Sequence, residues 1–95
     1  MKSVEIKLPT IFDESEYVNR IETIIKQLSF TINTKTTLDS IPGSIHWHIK
    51  NGHEKGTLEA TIDIYKPRFW LSYHDNRYAD WIDEAIVRIK LALES

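Results

Sequence analysis

Hydrophobic and polar residues alternate strictly over Ser44-Ile45-His46-Trp47-His48-Ile49-Lys50, sending Ile45, Trp47 and Ile49 to one side and both histidines to the other. A period of two marks a strand with one packed face. Two later segments repeat it. In Thr57 to Tyr65, Leu58, Ala60, Ile62 and Ile64 alternate with Glu59, Thr61 and Asp63; in Arg68 to His74, Phe69, Leu71 and Tyr73 oppose Arg68, Trp70, Ser72 and His74. Lys66-Pro67 lies between them, which predicts a hairpin. Val4, Ile6 and Leu8 alternate with Glu5 and Lys7 ahead of Pro9, giving a short first strand. Phe30 to Leu38 is rich in β-branched residues and reads as a polar, edge-like strand. Ile41-Pro42-Gly43-Ser44 has proline and glycine where a type II turn wants them, so that strand should fold back on Ile45 to Lys50.

The period becomes helical twice. Asp13 with Glu16 has the form of a capping box, and Tyr17, Ile21, Ile24, Ile25 and Leu28 then share one stripe, predicting a helix over 13–29. Asp80, Asp83 and Glu84 open a second helix whose Ile82, Ala85, Ile86, Ile89 and Leu93 recur at helical spacing, with Arg88 and Lys90 toward its end. That charge order suits the helix dipole.

This order predicts an α+β two-layer sandwich. It has a mainly antiparallel sheet of four or five strands, with two helices over one face. Residues 1–95 form a single domain. The polar sheet face stays open, and functional residues belong there. Pairing Lys50 with Thr57 and Tyr65 with Arg68 gives three rows on that face: His48, Glu59 and His74; His46, Thr61 and Ser72; Asp63 and Trp70. Asp39 falls beside His46 if the Pro-Gly hairpin forms. A one-residue slip would turn side chains to the wrong face, whereas a two-residue slip only reshuffles the rows.

Composition narrows the function classes. Ninety-five residues, 41% of them hydrophobic, supply one core and no second. A net charge of −2 is a poor match to phosphate backbones. The order helix, three strands, helix occurs in double-stranded-RNA-binding domains, but the stretch leading into the last helix reads Asp75-Asn76-Arg77-Tyr78-Ala79-Asp80-Trp81-Ile82-Asp83-Glu84. Its acidity would repel phosphate, so nucleic acid is disfavoured. Without cysteine there is no disulfide framework or thiolate zinc site, which suits a cytoplasmic location. No apolar run nears the roughly 18 residues of a membrane span, and Met1 to Lys7 lacks the apolar segment of a secretory signal.

Two groups on the open face carry candidate chemistry. His46, His48, Glu59 and His74 are the ligand types of zinc or another divalent metal. His46 with His48 is the easier pair, because His48 and His74 start about 10 Å apart with Glu59 between them. The plain alternative is that these residues pair across strands as solvated surface groups. A histidine held by Glu59 or Asp63 could also serve as a general acid or base. No P-loop, nucleophile elbow, zincin or dinucleotide motif accompanies it, so no substrate, enzyme class or required cofactor follows. At the other end, Trp70, Tyr65, Arg68 and Asp63 surround the hairpin, and the first three are residue types that dominate interface hot spots. The sequence therefore favours a non-catalytic interaction domain that binds a protein partner, or a second copy as a homodimer, through this face. The alternative is a metal- or small-ligand-binding protein, or a small enzyme, using the histidine end.

Overall fold

The computed structural model describes residues 1–95. In chain order the elements are β1 (Lys2–Ile6), α1 (Glu14–Gln27), β2 (Thr31–Thr36), β3 (Ile45–Lys50), β4 (Leu58–Asp63), β5 (Arg68–Tyr73) and α2 (Asp80–Glu94), with a 3-10 turn at Asp75–Arg77 before α2. The strands form one sheet in the order β1-β5-β4-β3-β2, antiparallel throughout. This is the α+β architecture that the alternating and helical periods predict. No helix is long and apolar enough to cross a membrane.

Local chemistry sets the ends of α1. Asp13 caps it by accepting the Glu16 N–H at 3.0 Å. The helix stops at Gln27, two residues short of the predicted end. Ser29 turns into the left-handed region at φ 69°, and its N–H and that of Phe30 donate to the carbonyls of Lys26 and Ile25. That double closure ends a helix even without glycine. Tyr17, Ile21, Ile24 and Ile25 of α1, and Ile82, Ala85, Ile86, Ile89 and Leu93 of α2, are buried. They join Trp47, Ile49, Leu58, Ala60, Ile62, Phe69 and Leu71 from the sheet in one apolar core. Trp47 is fully buried, so its indole N–H needs a partner and finds Glu22 Oε2 on α1 at 2.9 Å. Lys35 reaches the same carboxylate oxygen at 2.7 Å.

Lys35 can do so because β2 carries a bulge. Thr31 and Ile32 face Lys50 and Ile49, the register then shifts past Asn33, and Thr34, Lys35 and Thr36 face His48, Trp47 and His46. The extra residue inverts the rest of the strand. Thr34 and Thr36 thereby join the histidine face and Lys35 turns to the helices. Asp39 lies in the exposed β2–β3 connection and Thr36, not Asp39, is opposite His46. The Ile41–Ser44 turn forms as expected, with Ser44 N–H donating to Ile41 O at 3.1 Å and Gly43 at φ 82°. It closes only part of an eight-residue connection, 37–44, rather than a tight hairpin.

The β3–β4 register is the predicted one, with His48 opposite Glu59 and His46 opposite Thr61. The β4–β5 register differs by two residues: Glu59 faces Ser72, Thr61 faces Trp70 and Asp63 faces Arg68. Asp63 is the cause. Its Oδ1 accepts the N–H groups of Tyr65 (3.1 Å) and Lys66 (3.3 Å), holding Ile64 to Pro67 as a four-residue turn in place of a two-residue one. The face survives this shift and the rows change. Two rows now cross all five strands: Thr36, His46, Thr61, Trp70 and Glu5; and Thr34, His48, Glu59, Ser72 and Ser3.

Candidate functional site

The open face holds an unusual amount of buried polarity. His46 (8% exposed), Glu59 (7%), Thr61 (1%) and Ser72 (3%) lie between flanking strands and larger neighbours rather than in bulk water. A buried carboxylate demands compensation, and imidazoles supply it. Glu59 Oε1 is 3.0 Å from His46 Nε2 and 3.8 Å from His48 Nε2, and Oε2 is 3.3 Å from His74 Nε2. Three histidines thus surround one carboxylate.

Each contact traces to the sequence. Alternation along β3 puts His46 and His48 on one face, and the β3–β4 register sets Glu59 across from them. The rings of His46 and His48 meet edge to face at a centroid separation of 5.1 Å. His74 follows the last residue of β5 and reaches Glu59 from beyond the strand end, not from a paired row position. Its side chain is 48% exposed, against 9% for Glu59.

His46 is the most constrained of the three. Its Nδ1 is 2.7 Å from Thr61 Oγ1, directly across the strand pair. A hydroxyl both donates and accepts, so it serves either tautomer. When Nε2–H donates to Glu59, Nδ1 accepts from Thr61; when Nε2 offers its lone pair to a metal, Nδ1–H donates to Thr61. Burial pushes the His46 pKa below its ordinary value and outweighs the upward pull of Glu59, so the ring favours the neutral form a ligand requires.

His46, His48 and Glu59 each offer a ligand atom, and these atoms all lie within 4.8 Å of one another. Zinc bonds of about 2.1 Å in a tetrahedron put neighbouring ligand atoms roughly 3.4 Å apart. The two histidine-to-Glu59 separations, 3.0 and 3.8 Å, bracket that spacing. His74 stands on the far carboxylate oxygen as the nearest further donor. The rest of the predicted metal set is therefore brought together, with His74 at its margin.

The aromatic end is arranged differently. Trp70 is half-buried with the Arg68 guanidinium carbon 5.3 Å from its ring centroid, and Arg68 Nε donates to Glu5 Oε1 on β1 at 2.6 Å. Tyr65 is 79% exposed, and its ring lies so close to Gly43 that a Cβ there would overlap it. Asp63 is engaged in the turn. Arg68 and Asp63 are paired at one end of the open face beside Trp70 and are already partnered inside the chain, and Tyr65 lies in the adjoining turn.

Sequence reasoning missed the rim of the histidine end. An open concavity of about 610 Å³ lies over the cluster, walled by Thr34, Thr36 and Leu38 on one side and by Asn76 and Arg77 on the other. The threonines arrive through the Asn33 bulge. Arg77 is placed by backbone bonds: its N–H donates to His74 O at 2.9 Å and its carbonyl accepts Thr57 N–H at 3.0 Å. Nearby, Gly56 at φ 100° packs so tightly that a Cβ would lie 2.8 Å from Ala79 Cβ, and Trp81 Nε1 donates to Lys55 O at 2.7 Å. The β3–β4 loop thus fixes the wall that carries Arg77. Compared with known proteins, the chain matches no family model, no curated protein and no solved structure.

Proposed function

We propose that this domain binds a divalent transition metal through His46, His48 and Glu59, with His74 as the nearest additional donor. One observation carries the reading: ligand atoms from two adjacent strands converge within 4.8 Å on a carboxylate that is 7% exposed. Solvated surface pairs would not need such burial. Two imidazoles and a carboxylate suit zinc and its neighbours, and three protein ligands leave coordination positions open toward the concavity. Thr61 supports the reading as the outer partner that orients His46.

Calorimetric titration with Zn(II) and Ni(II) tests it. One equivalent per chain is expected, with affinity reduced at least about tenfold in His46→Ala, His48→Ala and Glu59→Gln. His74→Ala should lose less, and Lys26→Ala and His53→Ala nothing. Absence of saturable binding, or binding unchanged by His48→Ala, would overturn the proposal. Circular dichroism melts confirm that each variant is folded.

The exposed Tyr65 and the Arg68–Trp70 stack favour a second reading, in which the aromatic end docks a protein partner or a second copy of the chain. Sedimentation velocity across a concentration series checks the self-association form. A dimer that dissociates with Trp70→Ala supports it; a monomer at every concentration removes it.

A further inference from the structure

Arg77 is the one cation on the wall of the histidine concavity, and it takes part in none of the chain's ion pairs. Its backbone is tied at both N–H and carbonyl, while the residue is exposed and its guanidinium enters no ion pair within the chain. Lys50, by contrast, spends its ammonium group on Gly56 O at 2.6 Å and Thr57 Oγ1 at 3.3 Å. Opposite Arg77 stand Thr34 and Thr36, and beside it Asn76; Leu38 is the lone apolar residue of the wall. Such a lining has donors for oxygen atoms and little to hold a hydrocarbon.

Charge narrows the ligand further. A divalent ion, one carboxylate and one guanidinium leave a net formal charge of about +2 in the concavity. A phosphate monoester carries about −1.5 to −2 at neutral pH and balances it, whereas a carboxylate balances half. The planar guanidinium also matches two phosphoryl oxygens at once.

We infer that the concavity binds a phosphate monoester, its phosphoryl group shared between the metal ion and Arg77 and flanked by Thr34, Thr36 and Asn76. The inference rests on the metal-binding reading above. Arg77 is a specificity residue for the anion and not a ligand of the ion.

Co(II)-loaded protein titrated with phenyl phosphate, followed through the cobalt visible absorption, separates the two claims. In the wild type a saturable spectral change is expected. Arg77→Ala should bind Co(II) as tightly as the wild type while its affinity for phenyl phosphate falls about 10- to 100-fold, with Arg77→Lys in between. Benzoate should bind more weakly than phenyl phosphate. If Co(II) binds and phenyl phosphate leaves the spectrum unchanged, or Arg77→Ala binds it as well as the wild type, this inference fails and the metal site stands. Equal affinity for benzoate overturns the assignment to phosphate. If Co(II) does not bind, the metal reading fails first and takes this one with it.

Discussion

Thr61 has a methyl and a hydroxyl, and at 1% exposure only the hydroxyl has a specific task. It holds His46 Nδ1 and so fixes the ring whose Nε2 points at Glu59. Thr61→Val keeps the shape and removes the hydrogen bond. Stability is expected to fall by about 1 kcal/mol, and metal affinity by about tenfold, with the metal affinity recovered in Thr61→Ser. Urea unfolding and metal titration on the same samples check this; a loss of stability with unchanged metal affinity would make Thr61 a packing residue alone. The residues of the cluster were legible in the sequence, because alternation assigns a face from identity alone. Depth was not. Nothing in the pattern says that Glu59 is 7% exposed while His74 stays largely open, since that depends on the neighbours to each side. Arg77 and Asn76 lay in a segment whose acidic neighbours, Asp75 and Asp80, dominate any reading by charge.

Among the elements, strands and helices could be read from periodicity, while their offsets could not. Two local devices account for the difference. Asp63 folds its side chain back on the turn and so moves β5 by two residues, and the Asn33 bulge turns half of β2 over. Both depend on a polar side chain or a single extra residue, to which a period of two is blind. The bulge also creates the link between α1 and the sheet at Glu22. Burial alone would raise the Glu22 pKa, but the hydrogen bonds from Lys35 and Trp47 outweigh it and hold the carboxyl below its ordinary value. A group whose pKa is depressed by folding stabilises the fold above its unfolded pKa, and that contribution disappears as pH falls through the folded value. Urea midpoints measured at about pH 7 and about pH 3 should therefore differ more in the wild type than in Glu22→Gln. An equal difference in both proteins would show that Glu22 plays no part in acid sensitivity.

Across the whole molecule, the alternation of Val4 and Ile6 marks a strand but carries no information on where in the sheet it pairs. In the structure β1 lies beside β5, with Lys2 opposite Tyr73 and Ile6 opposite Phe69. Its anchors come from afar: Lys7 N–H donates to Glu94 Oε2 at 2.8 Å, and Glu5 meets Arg68. The four other strands follow one another as a meander in which each pairs with its neighbour in sequence. Amide exchange is expected to find β1 less protected than the central three strands, since one of its edges is free. Protection in β1 equal to that in β4 would contradict this.

That separation has a kinetic meaning. Hairpins close short loops and form early, whereas β1 must bridge more than half the chain to find β5, and the entropy of that closure is met last. His46, His48, Glu59, His74 and Arg77 all belong to the meander and the turn that follows it. During folding, these residues are therefore expected to meet before the sheet is complete, and under the metal-binding proposal an ion captured at that stage would act as a staple on a sheet still missing its outer strand.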